Sequence, residues 1–273
     1  MSAYGLKKGN SMKIYILGCG NMGTAIADGL HKSNKKIQLK VWDEIPEEAQ
    51  KLKYAEVKDS MHWFRDEEPD VVLIAVKPQG LKETLSVFYT EGKKTLWVSV
   101  VAGTSINKLE QLLPVGAKIV RVMPNTPALI GEGCSLYAMN KRCGKNDKET
   151  VEFIFNAIGI SFEVAENQMN AATGLSGSGP AFVYTIIEAF AEAGVAAGLP
   201  YEIALKSAAK TLLGSAKMVL ETNECPAVLK SKVMSPGGTT AAGNIALEAG
   251  GVRNAVMSAV MTATKRAEEL GKM

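Results

Sequence analysis

Two short stretches hold the residue types from which chemistry can be read, and they lie far apart in the chain. The first, Gly18-Cys19-Gly20-Asn21-Met22-Gly23, follows an apolar run and opens an amphipathic one. In a strand–turn–helix setting the first glycine makes a tight turn and the second leaves room for a pyrophosphate. The third lets helix and strand pack closely. Unpaired N–H groups and the dipole of the helix start then favour the anion. The second stretch, Ser235-Pro236-Gly237-Gly238-Thr239-Thr240, holds far more turn residues than a stop between two helices needs. It brings N–H groups close to something small, with Thr239 or Thr240 as the expected N-cap. A related segment, GLSGSGPAF (174–182), reads as a Gly/Ser loop whose helix starts at Pro180. Two such helix starts can converge on one small anion, and a carboxylate fits better than a phosphate because neither loop has Lys or Arg at its core.

Asp43 closes the second strand-like run, 20 residues after Gly23. An acid there accepts from a ribose 2′-hydroxyl and repels a 2′-phosphate, which leans towards NADH; Glu44 adds to the repulsion. Lys51 or Lys53 could fold back onto a phosphate and reverse that preference. Lys77 and Pro78 stand at the carboxyl end of another strand, the edge at which open parallel sheets bind ligands, so Lys77 is expected over the cofactor. The chemistry implied is hydride transfer. Reduction of a C=O wants a proton donor such as His or Tyr, whereas the two histidines, His31 and His62, both fall in the cofactor half. An already protonated C=N needs less help, so the residues point to an imine substrate.

The elements that must position these groups are legible from the pattern. Strands are expected at 13–17, 37–42, 71–76, 95–100 and 118–123, with 134–139 and 160–164 extending the same sheet. Near-continuous apolar strands alternating with amphipathic segments predict a doubly wound, mostly parallel sheet covered on both faces. After residue 167 strand signals cease and an Ala-, Gly- and Ser-rich helical region follows, so the expected domains are 12–167 and 168–273. Helices with so little bulk need a partner subunit to complete their core. Residues 1–11 precede the first strand and read as an extension or an expression remnant.

Composition bounds the rest. The chain has 273 residues, a net charge of +3 and scattered basic residues, which gives no nucleic-acid footprint. No apolar run approaches the length of a membrane span. Cys19, Cys134, Cys143 and Cys225 lack C-x-x-C spacing and read as reduced cytoplasmic thiols, and no metal site is expected.

Taken in order, ILGCGNMGTAI, AVKPQ, RVMPNTPALIGEG, ATGLSGSGPAFVY and SPGGTTAAGNIALEAGG resemble the pyrroline-5-carboxylate reductase family over nearly the whole chain. The resemblance implies a Rossmann-like domain followed by an all-helical domain that interlocks two subunits, often with the dimers in a ring such as a decamer. It implies hydride transfer from NADPH or NADH to the C=N carbon of 1-pyrroline-5-carboxylate, giving L-proline. Carried over residue by residue, Leu17, Gly18, Cys19, Gly20, Asn21 and Met22 resemble the pyrophosphate loop. Ala75, Val76, Lys77, Pro78, Val100, Val101 and Ala102 resemble the nicotinamide side, and Ser60 stands on the adenosine side where members often carry Asn. Glu166, Thr239 and Thr240 resemble substrate contacts, with Thr240 the catalytic partner of the ring nitrogen. The backbone of Ser235, Pro236, Gly237, Gly238 and Thr239 would hold the carboxylate. Lys232 stands near the expected cofactor, where a neutral polar residue is common, and Cys225 stands where the family often has His.

Two rival readings remain at this level. One is another imine or keto-acid reductase on the same scaffold, such as a β-hydroxyacid dehydrogenase; those rely on a lysine in the first long helix of the helical domain, and AFVYTIIEAF has none. The other is a non-catalytic dinucleotide sensor, which has no need of the Ser-Pro-Gly-Gly-Thr-Thr loop.

Overall fold

The computed structural model describes residues 11–33, 36–60, 68–87 and 94–272. Residues 1–10, most of the expected N-terminal extension, and His62 lie outside the described residues. Eight strands form one sheet: β1 (Met12–Leu17), β2 (Ile37–Trp42), β3 (Glu56–Val57), β4 (Val71–Ile74), β5 (Leu96–Ser99), β6 (Lys118–Met123), β7 (Gly133–Met139) and β8 (Gly159–Glu163), in the order β3-β2-β1-β4-β5-β6-β7-β8. Among the described residues five α-helices accompany them: α1 (Asn21–Lys32), α2 (Pro46–Gln50), α3 (Leu81–Leu85), α4 (Ile106–Leu112) and α5 (Lys145–Asn156). The chain runs outward from β1 through β2 to β3 and then returns to place β4 against the other side of β1. The strand order therefore reverses between β1 and β4, where open α/β sheets leave a crevice at their carboxyl edge.

The near-continuous apolar strands follow from burial on both faces. Ile14 and Ile16 of β1 join Val71 and Leu73 of β4 in one core. Tyr15 and Leu17 join Val72 and Ile74 in the core on the opposite face. This alternation makes a one-residue register slip costly.

The structure departs from the sequence reading in three places. β3 is a strand of only two residues, too short to show alternation. It is held by pairing Lys40 with Glu56 and Val41 with Val57, and Lys40 Nζ lies 3.2 Å from the Glu56 carboxylate. β7 runs antiparallel to β6, because residues 124–132 between them are too few for a crossover. α5 supplies a crossover between β7 and β8, which are parallel. β4 ends at Ile74, so Ala75 and Val76 lie beyond the strand, at the sheet edge.

Beyond β8 the described residues contain helices only: α6 (Met169–Ala172), α7 (Gly179–Ala196), α8 (Tyr201–Thr222), α9 (Pro226–Lys232), α10 (Thr239–Ala249) and α11 (Val252–Lys272). The chain divides into two compact units. One runs to Gly177 and takes the chain up again from Ala263, and the other is Ser178–Thr262. Within the second unit α7 and α8 form the main packed pair, and a Cβ at Gly194 would stand 3.0 Å from that of Ala204. Its only buried apolar side chains are Ala191, Ala204 and Ala208, while Phe190, Leu220, Ile245 and Met257 are exposed. Such a unit has almost no core of its own and leaves a large apolar surface uncovered. None of the helices is long and apolar enough to cross a membrane, among the described residues.

Candidate active site

The glycine loop at the end of β1 is shaped by close backbone approaches. Gly18 has φ +99°, and a Cβ there would lie 2.6 Å from the carbonyl carbon and oxygen of Ala75. The loop is tied on both sides: Gly18 N–H donates to the Trp42 carbonyl at 2.8 Å, and Ala75 N–H donates to that of Leu17 at 2.7 Å. At Gly23 an added Cβ would overlap the carbonyl of Gly18, so α1 rests directly on the loop. Gly20, the N-cap of α1, is the contrast, since a Cβ there would meet nothing within 4 Å. Two glycines are demanded by packing and the third borders open space, which fits a dinucleotide pyrophosphate at the helix start. Asn21 and Met22 form the first turn of α1, with Met22 leaning on the core below.

A cleft of about 390 Å³ opens at this edge, lined by Gly18, Gly20, Asp43, Glu48, Ala75, Val76 and Lys77 among others. Asp43 is fixed at its rim. One carboxylate oxygen accepts from Cys19 N–H at 2.5 Å and the other from Ile45 N–H at 2.8 Å. Thr24, which the motif reading passed over, donates its hydroxyl to the Cys19 carbonyl at 2.8 Å and pins the loop to α1. Burial pushes the Cys19 thiol up to about 12, with the carboxylates of Asp43 and Glu48 adding to the shift. Cys19 is therefore a packed thiol whose backbone, not its sulfur, faces the chemistry.

The expected cations do not all gather here. Lys51 pairs with Glu48 at 2.6 Å, and Lys53 is exposed and absent from the cleft lining, so neither stands ready for a phosphate there. Ser60 is exposed beyond β3 and also lies outside the lining. Pro78 opens a short 3-10 turn and, with Ala102, borders a neighbouring hollow rather than this cleft. Val100 N–H continues the ladder to Ile74, and Val101 is buried in the core, so these two offer backbone more than side chain.

Glu166 stands at another point of the same unit. Its Oε1 accepts from Arg121 Nη1 at 2.9 Å and from Ile106 N–H, at the start of α4, at 3.1 Å. Its Oε2 is buried without a protein partner. Arg121 had not been singled out; the signal was a charged residue inside the apolar strand KIVRVM, a type seldom buried unless paired. Asn125 was likewise missed. Its side-chain oxygen accepts from Cys134 N–H at 2.9 Å and its amide donates to the Ser176 carbonyl at 3.1 Å.

That second bond bears on GLSGSG, which is not a loop. Residues Thr173–Gly177 form a π-helical turn that continues α6, and only Ser178 separates it from α7. Ser176 and Thr173 return their hydroxyls to carbonyls four residues back. Small residues allow this widened turn, a feature frequent at functional sites.

In the second unit the Ser235–Thr240 stretch forms a tight turn running into α10. Gly238 N–H donates to the Ser235 carbonyl at 3.0 Å, with Pro236 second and Gly237 third at φ +67°, the arrangement of a type II turn. The expected threonine cap is overturned: the N-cap is Gly238, with no side-chain cap bond, because Thr239 is already helical. Gly238 N–H is also engaged in the turn, which leaves the N–H groups at the start of α10, beginning with Thr239 and Thr240, for an anion. Both threonines are exposed. Lys232 pairs with Glu224 at 2.5 Å and 2.7 Å, a local tie between the approach to α9 and its last turn. No cluster of potential metal ligands exists among the described residues.

The family profile described as pyrroline-5-carboxylate reductase dimerisation matches residues 166–270. The profile described as NADP oxidoreductase, coenzyme F420-dependent, matches residues 13–103. A pyrroline-5-carboxylate reductase of Synechocystis sp. is 47% identical over 203 residues, 74% of this chain and 76% of that one. The solved structure of a pyrroline-5-carboxylate reductase from Coxiella burnetii superposes with TM-score 0.90 at 33% identity, covering 96% of this chain and 99% of that one. That of the Plasmodium falciparum pyrroline carboxylate reductase with NADP bound gives 0.81 at 34% identity, covering 95% and 100%.

Proposed function

The chain belongs to the pyrroline-5-carboxylate reductase family, and from that premise we propose how its residues carry the reaction of an NAD(P)H-dependent oxidoreductase that reduces 1-pyrroline-5-carboxylate to L-proline. The observation that carries the reading is the cradle of Gly18, Gly20 and Gly23 beneath open space at the strand-order reversal. NAD(P)H supplies the hydride when bound. The loop from Leu17 to Met22 holds its pyrophosphate, Asp43 takes the adjacent ribose, and Ser60 lies toward the adenosine. Ala75 to Pro78 and Val100 to Ala102 shape the nicotinamide side.

The substrate's carboxylate is assigned to the Ser235–Thr239 backbone and the N–H groups that open α10, where the helix dipole favours negative charge. Thr240 is the catalytic residue, its hydroxyl meeting the ring nitrogen, and Glu166 is a substrate contact through the orientation Arg121 gives it. An imine that enters protonated requires no further proton during hydride arrival, which fits a cleft with no histidine among its described lining residues. Hydride adds to the C=N carbon, the π-electrons become the nitrogen lone pair, and the neutral amine takes a proton on release into water.

The chain is an oligomer. We place a homodimer on the exposed apolar faces of the Ser178–Thr262 helices, with assembly to a decamer as the larger form and the cytoplasm as its location. No nucleic-acid or membrane partner enters this reading. Oxidation of NADH and NADPH, followed by nicotinamide absorbance with and without 1-pyrroline-5-carboxylate, tests the function. Oxidation dependent on the imine supports it; tight dinucleotide binding without turnover of any cyclic imine would favour a sensor. Light scattering tests the assembly.

A further inference from the structure

The rim of the nucleotide cleft carries a chemical bias that the reductase reading leaves open. Asp43, Glu44 and Glu48 all line it, and among the described lining residues Lys77 is the one cation. Glu48 is offset by its pair with Lys51, so Asp43 and Glu44 set the sign of the charge beside the end of β2. Asp43 differs from an ordinary surface acid in being immobilised. Its two oxygens each accept a backbone N–H, from Cys19 within the glycine loop and from Ile45 beyond β2. A free carboxylate could swing into water when a phosphate approached. Here the swing would break two charge-assisted hydrogen bonds, one of which holds the pyrophosphate loop in shape.

Each oxygen keeps lone-pair capacity after these bonds. The carboxylate can therefore still accept from ribose hydroxyls, the role an acid at the end of the second strand performs in dinucleotide folds. It offers nothing to a 2′-phosphate, which is acceptor-only and negatively charged. Resting on the reductase reading, we propose that Asp43 is a specificity-determining residue that makes this chain select NADH over NADPH, by holding an immovable negative charge where the 2′-phosphate would sit. In a partly wet cleft, like charges about 5 Å apart weaken binding roughly ten- to a few-hundred-fold.

Calorimetric titration of the full chain with NADH and with NADPH reads this directly, without turnover. The expected result is NADH binding at least about tenfold tighter, with AMP a better competitor than its 2′-phosphorylated form in wild-type protein. Asp43→Asn removes the charge but keeps one acceptor oxygen for the loop, and should narrow the gap mainly by tightening NADPH. Equal or tighter NADPH binding in the wild type, or an unchanged ratio in Asp43→Asn, would overturn the assignment while leaving the reductase reading intact. Failure to bind either dinucleotide would overturn both.

Discussion

Gly20 and Gly23 have the same type and serve the same fingerprint, yet substitution should separate folding from binding. At Gly20 the backbone is extended, φ −68° and ψ −170°, a conformation any residue adopts, and an added Cβ meets nothing within 4 Å. Replacing it with Ala reduces the freedom of the unfolded chain, a gain of about 0.4–1 kcal/mol. Alanine is a poorer N-cap than glycine, which takes back a similar amount, so net stability should stay within roughly 1 kcal/mol of wild type. Binding is another matter, since the methyl projects into the space assigned to the pyrophosphate. Losing one charged backbone hydrogen bond there costs about 1.5–3 kcal/mol, or roughly 10- to 150-fold in Kd. Gly23→Ala reverses the pattern. Its Cβ would stand 3.0 Å from the Gly18 carbonyl carbon, with the oxygen closer still, and 3.4 Å from the Ala75 Cβ. Helix α1 must lift from the sheet, which costs roughly 1–3 kcal/mol or more. Thermal melts paired with NAD(P)H fluorescence titration check both variants. Wild-type dinucleotide affinity in a folded Gly20→Ala protein would show that the pyrophosphate does not lie over Gly20, and the site assignment would fall with it.

Thr240→Val should fold normally, because the residue is exposed, and lose roughly ten- to a thousand-fold in kcat if its hydroxyl meets the ring nitrogen as hydride arrives; steady-state kinetics at saturating dinucleotide give the answer. Arg121→Met leaves the half-buried Glu166 carboxylate with only the Ile106 N–H and should lower stability by about 1–3 kcal/mol, seen as a drop in denaturant midpoint, whereas Glu166→Gln should cost less. The raised Cys19 thiol gives an alkaline signature. The folded chain keeps this proton up to about 12, while the unfolded thiol releases it near the ordinary thiol value of about 9, so the folded state binds more protons between these values. Stability must therefore fall as pH rises through that window, and Cys19→Ala should flatten the fall in melts recorded across it. Charge placed on the helical unit, as Met257→Glu, should shift the assembly to smaller species in sedimentation, since Met257 is exposed in the single chain.

How much of this was written in the sequence depends on the range of the interaction that decides each feature. The strands at 37–42 and 118–123 were legible to the residue, because β-branched runs buried on both faces announce themselves locally. The glycine fingerprint was legible for a similar reason: Gly18 and Gly23 answer to sterics within one turn and the segment just beyond one neighbouring strand, while Gly20 borders open space. Asp43 could be placed at the carboxyl end of β2 by spacing alone, and it lines the cleft there. That its carboxylate is locked by Cys19 N–H could not, since that bond joins residues 24 apart. Glu56 and Val57 carry no strand pattern, and pairing with β2 makes them one. The Gly/Ser run at 174–178 reads locally as a loop. A helical path from α6 and the grip of Asn125 on Ser176 turn it into a widened helical turn. The threonine cap failed over a single residue: the type II turn through Pro236 and Gly237 consumes Gly238 N–H and starts the helix at Thr239. The chain's composition fixed which residues can do chemistry and which segments prefer strand or helix. Tertiary packing alone decided which donors and acceptors were left free, because hydrogen bonds between distant residues leave no period in the sequence.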